Sequence, residues 1–174
     1  MSRDQVRRDC ERLVIGLDLP HPFDLAEMCA RVGRQCGKPV VLMATQMSMG
    51  SLCGLWLGTA KADYVFYEED TSQLHQQHII CHEIGHILRH HPPGRIAGTD
   101  VGRALAAAVE PGEVARVLGR ATYSDDDEFE AELIATLILR RIGRGQPPEA
   151  PEATDPKAGA VIDRISRSLS REQR

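Results

Sequence analysis

Residues 70–93 constrain this chain more than any other segment. Asp70 with Gln73 three residues on reads as a helix-opening pattern, Pro92-Pro93 is a helix stop, and the residues between them have helical character. At the centre of that predicted helix stands His82-Glu83-Ile84-Gly85-His86, an H-E-x-x-H pattern. Positions i and i+4 share one helix face, so the two imidazoles can grip one metal ion while Glu83 reaches past them. A Zn²⁺ ion held there lowers the pKa of water from 15.7 to about 7, and Glu83 is the base that takes the proton as a polarised carbonyl is attacked. The chemistry this predicts is amide hydrolysis with Glu83 as general base and His82 and His86 as ligands.

The rest of the chain must build a scaffold for that helix and supply a third ligand. Val6, Cys10, Leu13 and Val14 recur at helical spacing from Arg3 to about Leu17, with arginines along another face. Asp24 caps a second predicted helix that ends at Gly37 and Pro39. Three extended runs follow, 39–45, 53–59 and 62–68, which predict a small antiparallel sheet with a hairpin between the last two. Beyond the prolines come two short predicted helices, 101–109 and 112–118. A longer one opens at Ser124, with Asp127 completing its capping box, and reaches about Ile142. The expected fold class is therefore α+β: N-terminal helices, a small antiparallel sheet, the H-E-x-x-H helix and a second helix that gives the Glu ligand. Residues 1–144 make the metallopeptidase domain, and 145–174 a Pro/Ala/Glu-rich linker with a basic C-terminal tail or helix.

The third ligand is not a histidine of the metzincin pattern, because Arg89 and Pro92 stand where that pattern has Gly and His. His90 and His91, at the helix end, read as solvent-facing, and His78 as a cleft or hydrogen-bonding residue one turn before His82. The later helix is the better source. Glu128 and Glu132 lie one turn apart on one face, so one can ligate while the other accepts the free N–H of a ligating histidine; Glu130 is the alternative ligand. Tyr123 is a weaker candidate as an oxyanion donor, and the run 53–58 reads either as an edge strand for an extended peptide or as a core strand anchored by Trp56.

Composition matters mainly for what it excludes. Five dispersed cysteines with no C-x-x-C pair leave the metal to histidine and carboxylate and read as reduced thiols. A formal net charge of -4 argues against direct nucleic-acid binding, even with a basic stripe on the first helix. No apolar h-region or membrane-length apolar run is present, so no membrane is expected and the cytoplasm is the expected compartment.

H-E-I-G-H after a small sheet, followed by Glu128-Phe129-Glu130-Ala131-Glu132-Leu133-Ile134-Ala135 on a later helix, resembles the ImmA/IrrE family of metallopeptidases, which are thermolysin-like gluzincins. The resemblance spans roughly Pro39 to Leu139. It implies that Glu128 is the third Zn²⁺ ligand beside His82 and His86, with Glu83 catalytic; Glu132 stands where the family usually has Asn or Asp. It also implies a substrate, a helix-turn-helix transcriptional regulator cut by the enzyme, and some members are toxin components. The rival expectation is a non-proteolytic zinc-binding regulatory or toxin–antitoxin module that acts by protein contact.

Overall fold

In the computed structural model, which describes residues 2–46, 54–92 and 123–145, the helices begin where a short polar side chain can take an orphaned N–H. Ser2 caps α1 (Arg3–Gly16) by accepting from Gln5 N–H, and Asp24 caps α2 (Leu25–Cys36) by accepting from Glu27 N–H. Gly37 ends α2 in the left-handed conformation at φ 80°, which a residue without Cβ adopts at no steric cost. The third helix, α3 (Gln73–Leu88), is capped by Ser72 through His75 N–H, not by Asp70 as the sequence pattern suggests. Asp70 is held instead in the preceding turn, where its N–H donates to the Glu68 carboxylate. Ser124 opens α4 (Asp125–Gly145) as expected: Asp127 N–H donates to Ser124 Oγ, and Ser124 N–H donates back to Asp127 Oδ2, both at 3.1 Å. This helix runs through Gly143 to Gly145, past the point where the glycines predict a linker.

The sheet has three strands, β1 (Val40–Thr45), β2 (Gly54–Gly58) and β3 (Asp63–Glu68), in the order β1-β3-β2. It is mixed, which corrects the antiparallel expectation: β2 and β3 form the predicted hairpin, but β1 pairs parallel with β3 in the register Val40↔Asp63 to Thr45↔Glu68. Only the β2–β3 connection is a tight turn, closed by Thr59 Oγ1 accepting from Lys61 and Ala62 N–H. Turn chemistry therefore dictates antiparallel pairing there and leaves β1 free to take the far edge. Trp56 faces Val65 across that ladder, and its indole N–H donates to the buried Asp63 carboxylate at 3.0 Å. Lys38 completes Asp63's environment at 2.8 Å, so the carboxylate has the partners that burial demands.

The core lies where the helices meet one face of the sheet: Cys10 and Val14 of α1, Met28 and Val32 of α2, Trp56 and Val65 of the sheet, Ile80, Ile84 and Ile87 of α3, and Ile134 and Ile138 of α4. The approach of α3 to α4 is set by Gly85, where a Cβ would come within 2.8 Å of the Ala131 Cα and carbonyl oxygen. Cys10, Cys29, Cys36 and Cys81 are free thiols. Burial pushes Cys29 up to about 11 and Cys81 up to about 12, and raises Cys10. Since the thiolate is the reactive form, a maleimide or disulfide reagent at pH 8 should leave Cys10, Cys29 and Cys81 unmodified in the folded protein and label them on unfolding. Peptide mass mapping checks this, and rapid native labelling of Cys81 would contradict the packing of α3.

The predicted helices at 101–109 and 112–118, Cys53 and the tail from 146 lie outside the described residues. Among the described residues, no helix is long and apolar enough to cross a membrane.

Candidate metal centre

Helical spacing puts His82 and His86 on one face of α3, and their Nε2 atoms are 3.2 Å apart. The first turn of α4 meets them there. Glu128 places Oε2 3.2 Å from His82 Nε2 and Oε1 4.0 Å from His86 Nε2. Among the described residues these three form the group that could hold a metal ion, with one ligand atom from each within 4.8 Å of the others. The site is graded in exposure: His86 is fully buried, the His82 side chain is 22% exposed, and the Glu128 side chain is 48% exposed. An ion there would be approached from the Glu128 side.

The electrostatics suit a cation. Burial first, and then the nearby His82 and His91 rings, push His86 down to about 3, so its imidazole is neutral at physiological pH, the form a metal ligand must take. Each imidazole has a second group at its other nitrogen: Glu132 Oε2 lies 3.5 Å from His82 Nδ1, and His91 Nδ1 lies 2.9 Å from His86 Nδ1. The Nε2 lone pairs and the Glu128 carboxylate are then left facing one another, an electron-rich cluster that a cation stabilises.

Glu83, next to His82 in α3, is buried against β2 and close enough to Glu128 to feel its charge. It is 6% exposed, and burial, partly offset by a hydrogen bond from Trp56 backbone N–H, pushes its carboxyl up to about 8. Gly54 makes the space it occupies, since a Cβ at that position would stand 2.9 Å from Glu83 Oε1 and 2.4 Å from Ile79 Cγ2. β2 thus provides both the room, at Gly54, and a hydrogen-bond donor, at Trp56, for the candidate base. The strand is at the edge of the sheet, and its Leu55, Trp56 and Leu57 are buried, as the core-strand reading of this run expects.

The three candidate carboxylates separate by partner. Glu128 joins the histidines; Glu132 sits between His82 and His78, accepting from His78 Nε2 at 3.2 Å; Glu130 pairs with Arg89 and lies 3.4 Å from His91 Nε2. Glu130, as an alternative ligand, is therefore taken up elsewhere. His90 is exposed as expected, whereas His91 is buried at 8% exposure and corrects its solvent-facing assignment. Tyr123 stacks on the His86 ring, with centroids 3.7 Å apart and planes at 20°. Sequence reasoning missed Gly54 and His91. A glycine at a strand end is a signal of close approach by another group, but a histidine beside a helix-stopping proline carries no mark of burial. No protein-family model, curated protein or solved structure matches this chain.

Proposed function

We propose that this protein is a zinc-dependent metallopeptidase that hydrolyses a peptide bond in a helix-turn-helix transcriptional regulator. The observation that carries the reading is the convergence of His82 Nε2, His86 Nε2 and the Glu128 carboxylate beside a buried glutamate adjacent to His82 in the chain. The spacing supports zinc: two nitrogen ligands of a tetrahedral site at about 2.0–2.1 Å lie roughly 3.3 Å apart, against 3.2 Å between the Nε2 atoms. Two histidines and a carboxylate leave a fourth position open, the pattern of catalytic rather than structural zinc.

When bound, Zn²⁺ supplies Lewis acidity, polarising a carbonyl and acidifying water. The chain's own residues do the rest. Glu83, whose carboxyl burial raises in the metal-free chain and whose ionised form a nearby cation favours, accepts the water's proton and returns it to the departing amine. Glu132 orients His82, and the half-exposed Glu128 leaves the substrate side open. The substrate class and a cytoplasmic location follow from the ImmA/IrrE resemblance of the two motifs.

The test is incubation of the purified protein with a helix-turn-helix transcriptional regulator, the substrate class that the resemblance implies. Discrete regulator fragments are expected with Zn²⁺, none with a chelator, and fragments again once Zn²⁺ is restored. A chain that binds zinc and leaves the regulator intact in every lane would instead be a contact module, and one that binds no zinc would overturn the reading at its root.

A further inference from the structure

His91 is the buried residue near the site that the H-E-x-x-H pattern does not explain. The backbone brings it there. After Leu88 the chain turns through His90 at φ 55°, with His90 N–H donating to Ile87 O and His91 N–H to His86 O at 3.0 and 3.1 Å. That pair of bonds is a Schellman motif, and it folds the residue following the left-handed position back over the last turn. The His91 ring meets His86 edge-on, with centroids 5.1 Å apart and planes at 67°.

For a neutral His91, donor and acceptor roles in this cluster have one consistent solution. His91 Nε2 lies 3.3 Å from Asp127 Oδ1 and 3.4 Å from Glu130 Oε2. Ionised carboxylates only accept, so the His91 proton is on Nε2 and its Nδ1 carries a lone pair. The 2.9 Å contact between the two Nδ1 atoms then requires His86 to be the donor. With its proton on Nδ1, His86 presents an Nε2 lone pair toward His82 and Glu128. Asp127 divides its oxygens: Oδ2 accepts from Ser124 in the α4 capping box and Oδ1 faces His91. Asp127 and Glu130 lie on either side of Glu128 in the chain, within the first two turns of α4, and Arg89 anchors Glu130 from the end of α3.

We propose that His91 is a positioning residue: it holds His86 in the tautomer that ligates through Nε2, and it ties the turn of α4 that carries Glu128 to the end of α3. This rests on the reading of His82, His86 and Glu128 as metal ligands. Two facts about one side chain, its partner at Nδ1 and its partners at Nε2, thereby link the orientation of one ligand to the placement of another.

In Zn²⁺-loaded wild type, long-range ¹H–¹⁵N NMR should find His86 protonated at Nδ1 and His91 protonated at Nε2. Ligation of His86 through Nδ1, or a His91 proton on Nδ1, would overturn the proposal without any variant. His91→Leu, which removes the acceptor, should weaken Zn²⁺ binding about 10–100-fold in chelator competition. His91→Gln, whose amide oxygen can accept from His86 Nδ1–H, should recover most of that loss. Equal losses in the Leu and Gln variants would mean that His91 only fills space and would overturn the positioning role. Wild type that binds no zinc removes the metal reading and this inference together, whereas wild-type binding that His91→Leu leaves unchanged removes this inference alone.

Discussion

Glu83→Gln should leave a folded, zinc-loaded protein whose peptide hydrolysis is about 10²–10⁴-fold slower than that of wild type, the range that a positioned general base contributes. Folding is expected to survive because of where Glu83 sits. Its carboxyl, raised to about 8 by burial, is held mostly as the neutral acid in the metal-free chain at pH 7, and Gln is the neutral isostere of that form. The pH dependence has a definite sign. A folded pKa above the unfolded value of 4.5 gives wild type a contribution to stability that is complete below about 4.5 and lost as pH rises through about 8. The metal-free Gln variant lacks that loss, so its stability relative to metal-free wild type should rise across the same window. Denaturant melts at pH 5 and pH 8.5, metal quantitation and a peptide-cleavage assay check the three parts. A Gln variant that still cleaves at the wild-type rate would remove Glu83 from the mechanism, and a regulatory effect that persists without cleavage would favour a contact module.

Gly85→Ala should destabilise the protein by up to about 2 kcal/mol and weaken metal binding, although the substitution improves helix propensity. Alanine in a helix interior is worth about 1 kcal/mol over glycine, and overpacking a tight contact costs about 1–3 kcal/mol. Here the added Cβ meets backbone atoms, the Ala131 Cα and O at 2.8 Å, and no side-chain rotation relieves the contact. The relief is for α3 and α4 to separate, and Glu128 lies on α4, one turn from Ala131. Gly143→Ala is the internal control: nothing lies within 4 Å of a Cβ there, so the same chemical change later in α4 should stabilise by about 0.5–1 kcal/mol. Urea denaturation and chelator competition read both effects; equal stabilities of the two variants would sink the account of the α3–α4 contact.

What the sequence reveals about the site is the part written in local periodicity. The i, i+4 spacing of His82 and His86, and the same spacing of Glu128 and Glu132, specify faces of helices without reference to anything distant. Which of three glutamates meets the histidines is another matter. It depends on how α4 rolls against α3, and that is set by the Gly85–Ala131 approach and the Arg89–Glu130 pair. The sheet divides in the same way: the turn at Thr59 makes the β2–β3 hairpin readable, whereas the parallel placement of β1 is a long-range choice with no local mark. His91 was hidden for a related reason. A left-handed residue at His90 sends the chain back on itself, and only glycine or asparagine in that place would have announced the reversal.

The two helices that carry His82, His86 and Glu128 are far apart in the chain, and an ion gripped by all three joins them as a cross-link. A covalent clip constrains the unfolded ensemble by closing a loop there, whereas an ion of this kind acts through the native form that it binds. Such a link is reversible and answers to supply. An ion that binds only the folded form adds about 2.7 kcal/mol when its free concentration is 100 times its dissociation constant, and nothing when it is scarce. The lifetime of this fold would then follow the metal content of its surroundings, so that starvation for the ion removes the chemistry and loosens the scaffold together.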